Sequence, residues 1–307
     1  MILKIMQRAW QFSGRKSEYA HSMSTIGRVK YMAAVAKHFP ASQKLFDTQS
    51  RFMQSILANR PEYFNMIVSP YINAQWDEDQ RIEKFQNHIK VIYEKNWNFD
   101  FDFSHEMTIL DLSQFGYLGY RVVLDKPIWF HREGILALNL FKEKVRLFTL
   151  AFSIEDDNNG LNLIIGGIQG RSITNILEEY KIFTKLMHGM RPRDFLIEIL
   201  RILASVLGVS RITAVSDEFR HHRHPFFGQD TNRALPSNYN EIWLDRGGVR
   251  ESADFYRLPM VSNRDPCSVA AKKRAMYKKR YELLQQIEDV ISSQFPNLIP
   301  QPALQAK

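Results

Sequence analysis

Residues suited to binding an anion gather first in a glycine-rich run, Gly-Gly-Ile-Gln-Gly-Arg at 166–171. Glycine lets a backbone approach another group closely, and glutamine and arginine side chains offer hydrogen-bond donors. A ligand lying along an opened strand edge here would use Gly167, Gln169, Gly170 and Arg171. The same glycines are equally typical of a β-bulge at which a sheet and a helix pack closely. The sequence alone leaves both interpretations open.

A basic turn at residues 188–194 is the second candidate for anion binding. Arg191 and Arg193 flank a proline just before a long apolar helix pattern, and free N–H groups at a helix start favour negative charge. The simpler interpretation is helix initiation, with solvated arginines. If the two runs form one cleft, we expect Arg191 and Arg193 to bind phosphate. His188 and Asp217 are then the candidates for moving a proton.

Histidines crowd a third region, at positions 221, 222 and 224. Asp217 and His221 would stand four residues apart on a helix, which is a feasible pair of metal ligands. Arginines at 220 and 223 interleave with the histidines and would repel a cation. We therefore predict no metal site here, and a solvated or pH-responsive loop instead.

Several catalytic motifs are missing from the sequence. It has no glycine-lysine phosphate loop, no Gly-x-Gly-x-x-Gly, no His-Glu-x-x-His, no Gly-x-Ser-x-Gly and no paired cysteines. This weakens nucleotide hydrolysis, nicotinamide chemistry, metalloproteolysis and serine hydrolysis as functions. The one cysteine, Cys267, cannot form an internal disulfide, which fits a reducing compartment.

The formal charge of +8 is unevenly placed. Residues 1–60 hold ten Lys/Arg against two acids, so the rest of the chain is balanced, although a second basic cluster stands at 272–280. This asymmetry favours an anionic partner, either a membrane surface, RNA or a phosphate-bearing ligand. A solvated face that promotes solubility is the alternative interpretation.

The sequence predicts no membrane-spanning segment, because no stretch approaches the roughly 18 apolar residues that one requires. The first ten residues are apolar but interrupted by Lys4 and Arg8, and they lack the features of a secretory signal. We expect a docking helix there, with a helix lying on a membrane surface as the alternative. The resulting prediction is a cytoplasmic protein, with peripheral association with the inner membrane left open.

The fold class predicted from periodicity is α+β. Residues 1–104 read as a basic, mostly helical portion, with one apolar helix face over 45–57, Ser42 as its N-cap, and another helix over 82–92. Residues 105–307 read as a mixed, mainly antiparallel sheet with packed helices and a basic C-terminal helix. We expect the four tryptophans that follow residue 70 to lie in the core, namely Trp76, Trp97, Trp129 and Trp243.

Individual elements of the second portion follow from local signals. Strands are predicted at 120–124, 134–140, 145–154 and 161–166, and an Asn-Gly pair at 159–160 marks a hairpin between the last two. Helices are predicted at about 173–187 and 193–207, and a buried strand at 212–215. Residues 239–244 and 255–258 are expected to return to the sheet. Asp265-Pro266 is expected to open the last long helix, and residues 295–307 to form a loose tail.

Four motifs together resemble the VirK/YbjX family: Gly-Gly-Ile-Gln-Gly-Arg at 166–171, His-Gly-Met-Arg-Pro-Arg at 188–193, Ala-Val-Ser-Asp at 214–217 and Phe-Tyr-Arg-Leu-Pro at 255–259. The likeness covers about residues 30–295. It implies a Gram-negative bacterial protein involved in envelope homeostasis, antimicrobial-peptide resistance and virulence. It supplies no catalytic residues.

A further resemblance concerns topology. A meander, helix and strand with a glycine-rich strand end are similar to the core of GNAT acyltransferases, in which a splayed strand and a helix start hold acyl-CoA. Gln169, Gly170 and Arg171 would then form the opened strand edge. The chain departs from that pattern because it lacks the Gln/Arg-x-x-Gly-x-Gly/Ala loop and has an extra helix before Arg191. Three functions remain open: an envelope factor, an acyl or aminoacyl transferase, and a non-enzymatic binder of RNA or anionic lipid.

Overall fold

The computed structural model describes residues 2–14, 23–95, 97, 106–157, 159–231 and 233–294. The predicted boundary between residues 104 and 105 and the predicted loose tail at 295–307 lie outside the described residues. None of the described helices has the length and apolar character needed to cross a membrane.

The N-terminal portion is helical, as predicted. Its helices are α1 (Ile2–Ser13), α2 (Thr25–Lys37), α3 (Phe39–Phe46), α4 (Arg51–Asn59) and α5 (Glu78–Glu94), with a 3₁₀ turn at Pro61–Ile67. Helix α5 begins with a reciprocal cap, in which the Asp77 side chain accepts from the backbone of Gln80 and the Gln80 side chain accepts from the backbone of Asp77.

The single apolar helix expected over residues 45–57 is in fact divided between α3 and α4. Ser42 does not cap it, because this residue lies inside α3, where its hydroxyl donates to the Val35 carbonyl at 3.1 Å. The cap of α4 is Ser50, whose side chain accepts from the Met53 N–H at 3.2 Å. Serine at either position satisfies a helix start, so the sequence did not distinguish between them.

An eight-stranded sheet follows, in the order β1-β2-β3-β4-β5-β6-β8-β7. Its strands are β1 (Met107–Asp111), β2 (Tyr120–Asp125), β3 (Leu136–Lys142), β4 (Val145–Asp157), β5 (Gly160–Gly170), β6 (Arg211–Val215), β7 (Val249–Arg250) and β8 (Phe255–Leu258). Only β5 and β6 pair in parallel. The predicted mixed, mainly antiparallel sheet is therefore confirmed.

The remaining helices are α6 (Ile176–Leu186), α7 (Pro192–Val206), α8 (Tyr239–Asp245) and α9 (Arg274–Gln294). The strand expected at 239–244 is wrong: this segment is α8, because the Asn238 side chain accepts from the N–H groups of Asn240 and Glu241 and starts a helix. Asp265-Pro266 opens only a short 3₁₀ turn, Pro266–Ser268, and the long helix begins later.

The two faces of the sheet differ in chemistry. Helix α7 is buried along most of its length and packs an apolar surface against one face. Helix α5 and the loop before it cover the other face, which carries polar groups: the Tyr71 and Ser153 hydroxyls bond at 2.5 Å, and His88 Nδ1 accepts from the Ile154 N–H at 2.9 Å. The N-terminal portion therefore covers the polar face of the sheet and completes the protein interior on that side.

The tryptophan prediction holds for three of the four positions. Trp76, Trp97 and Trp243 are buried. Trp129 is not a core residue, because 54% of its surface is exposed. It stands at the mouth of the site described next.

Candidate functional site

A β-bulge interrupts strand β5 at Gly166. In the ladder with β4, Gly167 pairs with Ala151 and Ile165 pairs with Phe152, so Gly166 is the extra residue. The parallel pairing with β6 ends at Ile165 and Ala214, although β5 continues to Gly170. A bulge bends its strand and increases its twist. The last residues of β5 thus part from β6, and we call the space between the two strand ends, which side chains from other elements occupy, the opening.

A buried carboxyl group, that of Glu133, fills part of this opening. Glu133 is 3% exposed, and the side-chain amide of Gln169 donates to both its oxygens, at 3.2 and 3.0 Å. The glycines make room for it: a Cβ at position 166 would stand 2.1 Å from the Glu133 carbonyl oxygen, and one at position 167 would stand 2.8 Å from the carboxyl carbon. The close packing that these glycines allow is therefore with a polar residue, Glu133.

Burial raises the pKa of Glu133 to about 8, although Gln169 and nearby arginines act in the opposite direction. A carboxyl group with such a pKa is mostly protonated at pH 7 yet close enough to the working pH to accept a proton. It therefore has the character of an acid–base residue rather than of a permanent charge.

His221 is the nearest titratable neighbour of Glu133. Its Nε2 lies 3.9 Å from Glu133 Oε1, and its Nδ1 is buried without a hydrogen-bond partner in the described part of the chain. Burial, together with His222 and Arg132, lowers the pKa of His221, so the ring is neutral near pH 7. The pair is slightly too far apart for a direct hydrogen bond, and a small movement or a ligand atom would connect the two groups.

Glu133, His221 and His222 also offer potential metal-ligand atoms within 4.8 Å of one another. Two positive guanidinium groups act on His221, those of Arg132 and Arg220, and both oppose the approach of a dication. The absence of a metal stays a prediction.

A phenol closes the opposite side of the opening. Tyr239 stands at the start of α8, and its hydroxyl accepts from the backbone N–H of Ile168 at 3.1 Å, on the edge of β5 that has left β6. The guanidinium of Arg220 lies over the ring, 4.4 Å from its centre. Burial raises the pKa of Tyr239 to about 12, so the phenol keeps its proton and can donate it.

Cations and aromatic rings form the mouth of this opening. The arginine–aromatic mouth consists of Trp129, Arg132, Arg146, Phe226 and Phe227. Arg146 lies over Trp129 at 5.1 Å, and Arg132 over Phe226 and Phe227 at 5.3 and 5.8 Å.

Guanidinium nitrogens in the arginine–aromatic mouth have unused hydrogen-bonding capacity. Arg132 Nε and Arg146 Nη1 are buried without a hydrogen-bond partner among the described residues. Burial lowers the pKa of both arginines. An anionic ligand would accept hydrogen bonds from these nitrogens and offset the cost of burying their charge, so the mouth suits a negatively charged molecule.

The predicted ligand-binding residues divide between the two faces of β5. Gly167 and Gln169 meet Glu133 on one face, whereas a Cβ on Gly170 would contact Tyr180 and Phe148 on the other. This division follows from the alternation of side chains along a strand. Arg171 follows the strand and is exposed. Its charge acts on Arg146, which connects it to the arginine–aromatic mouth.

The two proton-transfer candidates are held in separate places. Asp217 accepts from the Tyr239 N–H at 3.0 Å and pairs with Arg220 and Arg223 at 3.3 and 2.5 Å. These contacts of Asp217 thus hold α8 and the loop after β6 in position. His188 lies in the turn between α6 and α7 with a positive φ of 50°, and its carbonyl accepts from Arg280.

The two arginines of that turn lie on the α7 side of the sheet. Arg193 pairs with Asp194 at 3.2 Å and with Asp245 at 3.8 Å. Arg191 is 66% exposed in its side chain and reaches Asp194 only at 4.0 Å. These arginines therefore belong to a groove distinct from the Glu133 opening, and one cleft does not unite all the predicted residues.

Sequence reasoning missed Glu133 and Tyr239. Each lies far along the chain from its partner on β5: 36 residues separate Glu133 from Gln169, and 71 separate Tyr239 from Ile168. The Gly166-Gly167 pair was the available signal, since it marked where another segment approaches the strand.

Comparison with known proteins gives a family and a small set of relatives. The family model described as "Protein of unknown function (DUF535)" matches residues 21–293. "Uncharacterized protein YbjX" of Escherichia coli (strain K12) is 27% identical over 246 residues, which cover 78% of this chain and 74% of that protein. No solved structure matches the chain.

Two further relatives match shorter stretches. An "Uncharacterized protein" of Haemophilus influenzae is 30% identical over 163 residues, 52% of each chain. A Mannheimia haemolytica protein named "Membrane protein LapB" is 23% identical over 185 residues, which cover 57% of this chain and 76% of that protein. The family match over residues 21–293 extends across the sheet and its site but attaches no reaction to it.

Proposed function

The chain belongs to the DUF535 family, with its YbjX- and VirK-like members, and from this premise we propose that it transfers an acyl or aminoacyl group at the opening beside Gly166. One observation carries the proposal: a buried carboxyl group of raised pKa and a protonated phenol face the same freed edge of a glycine-rich strand. Such a pair can remove one proton and supply another during transfer.

The strand arrangement supports a GNAT-like mode of binding. The parallel β5–β6 pair opens after Ile165, as a GNAT-like core requires for the pantetheine arm of acyl-CoA. The backbone beyond the bulge would lie alongside the donor, and Arg146, Arg132 and Arg171 would contact its phosphates. These arginines take the place of the phosphate-binding loop that the sequence lacks.

Proton movements in the proposed reaction balance as follows. The ionised Glu133 carboxylate takes a proton from the amine or hydroxyl group of the acceptor, which attacks the thioester carbonyl. The carbon–sulfur bond then breaks, and the Tyr239 phenol gives its proton to the leaving thiolate. After the products leave, the proton on Glu133 passes to solvent and solvent reprotonates Tyr239, which restores the starting state. Gln169 holds the Glu133 carboxyl group in place throughout, through its two donated hydrogen bonds.

The VirK/YbjX likeness supports an envelope setting for the proposed activity. An envelope acceptor would carry an amine or a hydroxyl group, because one of these must attack the thioester carbonyl. We propose an acceptor of that class, so that the transferase and the envelope role are one function.

The test is ligand-dependent thermal stabilisation followed by a turnover assay. A panel of short- and long-chain acyl-CoAs is expected to stabilise the wild type by about 2.7 kcal/mol when the free ligand reaches about 100 times its Kd. Arg146→Ala should lose this stabilisation. Arg191→Ala, on the opposite face, should keep it. Stabilisation that is absent across the panel, or that depends on Arg191 instead, would refute the proposed donor site.

A turnover assay distinguishes residues that bind the donor from residues that catalyse the transfer. Glu133→Gln and Tyr239→Phe keep the shape of each side chain and should lower kcat by about a hundredfold or more, with the donor Kd little changed. Tyr277→Phe, a change of the same kind at a tyrosine on α9, serves as the control. Retained turnover in Glu133→Gln would remove the carboxyl group from the mechanism.

A further inference from the structure

A groove on the α7 side of the sheet lies apart from the Glu133 opening. It has a volume of about 790 Å³ and is bounded by α6, the α6–α7 turn and the start of α9. Its apolar lining comes from Phe148, Leu177, Tyr180 and Met276. We call this cavity the α6 groove. Its volume falls within the range of about 300–1,000 Å³ that small-molecule sites occupy.

Exposed apolar side chains lie on α6 and just before it. Leu177 is 68% exposed, and Ile173 and Ile182 are also exposed. Exposed aliphatic side chains that adjoin an open apolar cavity mark a surface that contacts something apolar.

The rim of the α6 groove is cationic. Lys181, Lys185, Arg191 and Arg193 line it, and no carboxylate lines it among the residues that the structure describes. Carboxylates outside the lining do pair with part of this charge: Glu178 with Lys181, and Asp194 with the two arginines. Lys185 and the mostly exposed Arg191 therefore present positive charge to solvent at this rim.

Further positive charge comes from the start of α9. Met276 reaches into the α6 groove, and Lys279 stands three residues further on, a spacing that places the two on the same side of α9. Lys272 and Lys273 lie just before α9, in the 3₁₀ turn Ala271–Lys273. All three lysines are exposed. Burial lowers the pKa of His188 in the adjoining turn, and Lys279 and Arg280 lower it further, so their positive charge acts beside the groove.

We propose that the α6 groove receives an acyl chain of an anionic membrane lipid, while the lysines and arginines around it contact lipid phosphates. The apolar cavity matches the chain and the cationic rim matches the head group. RNA fits less well, because nucleotide binding uses exposed aromatic rings, whereas the exposed apolar residues here are aliphatic. This docking is independent of the proposed transferase chemistry, which lies on the other face of β5.

The experiment measures the binding of the full chain to vesicles. Vesicles of mixed phosphatidylglycerol and phosphatidylcholine are compared with vesicles of phosphatidylcholine alone, by co-sedimentation at low and high salt. We expect binding to the anionic vesicles only, weakening as salt rises. Lys185→Ala and Arg191→Ala should each weaken the partition about fivefold.

A change in the apolar floor distinguishes insertion from simple charge attraction. Leu177→Ser should weaken the partition about tenfold or more, because an inserted leucine gains its burial from the lipid. Leu3→Ser, at a still more exposed leucine on α1, is the matched control and should bind like the wild type. Both sites are exposed, so unchanged thermal stability shows that each variant is folded.

Three results would overturn the proposal. Unchanged vesicle binding in Leu177→Ser would reduce the contact to surface charge. Loss of binding in Leu3→Ser but not in Leu177→Ser would move the contact to α1. Tight binding of an RNA oligonucleotide without any vesicle binding would replace the lipid by nucleic acid. Each can be observed whether or not the chain proves to be a transferase.

Discussion

The raised pKa of Glu133 predicts a specific pH dependence of folding, which one isosteric substitution can isolate. Burial moves this pKa from 4.5 to about 8. Below pH 4.5 both the folded and the unfolded chain hold the proton, so the group favours neither. As the pH rises, the unfolded chain releases its proton first. The free energy of unfolding therefore falls between pH 4.5 and pH 8 and levels off above that.

The expected size follows from the shift. Each pKa unit corresponds to about 1.4 kcal/mol, so ionisable Glu133 costs the wild type about 3 kcal/mol at pH 7 and about 5 kcal/mol at pH 9. Glu133→Gln has no such proton to lose. The variant should therefore gain about 4 kcal/mol on the wild type as the pH rises from 5 to 9.

Urea unfolding at a series of pH values provides the assay. The histidines titrate in both proteins, so their contribution largely cancels in the difference. A constant offset from the altered bond with Gln169 does not matter either, because the slope is what is measured. Glu178→Gln, the same substitution on the exposed surface of α6, is the control for the loss of a carboxyl group outside the interior. A flat difference for Glu133→Gln between pH 5 and 9, or one that favours the wild type as the pH rises, would refute the argument that burial controls this carboxyl group.

Two further predictions concern stability. Gly166→Ala would push a Cβ to 2.1 Å from the Glu133 carbonyl oxygen and should lower the free energy of unfolding by about 3 kcal/mol. The control, Gly27→Ala in the first turn of α2, should change the free energy of unfolding by less than about 1 kcal/mol. Equal effects of the two substitutions would contradict the role of the bulge. Burial lowers the pKa of His88 from 6.5 to about 4, so stability present above pH 6.5 should be lost as the pH falls toward 4, by about 2 kcal/mol at pH 5. In the same urea assay, His88→Asn should reduce this loss of stability at acid pH. An unchanged loss in the variant would show that His88 is not its source.

Elements with local signals could be predicted from the sequence. The Asn-Gly pair predicted the hairpin between β4 and β5, and the structure confirms it with strands that meet at Asp157 and Gly160. The apolar spacing before Gly208 predicted α7, and the β-branched run after it predicted β6. In each case the residues that fix the element lie within the element or next to it.

Two of the wrong assignments have a common cause. Residues 239–244 include four apolar residues, which suits a strand or a helix, and the side chain of Asn238 caps a helix there. Ser42 has the chemistry of a cap, yet the chain uses Ser50. Short segments carry too little periodicity to decide, so a single capping side chain determines the outcome.

The candidate site could be predicted only in outline. The glycines at 166 and 167 indicated that a group approaches the strand closely, but not that the group is Glu133, which belongs to a loop without a recognisable motif. Its burial depends on contacts made across the sheet. The VirK/YbjX likeness was confirmed by the family match over residues 21–293, but that likeness carries no site residues.

The polar face of the sheet has a consequence for truncation. Tyr71 and His88 supply hydrogen bonds to Ser153 and Ile154 in the middle of β4, and Lys84 pairs with the buried Glu155. A fragment that starts at residue 106 would expose these groups to water and lose their partners. We therefore expect such a fragment to aggregate or to remain partly unfolded, and co-expression with a separate piece that carries residues 1–95 to restore its structure by complementation.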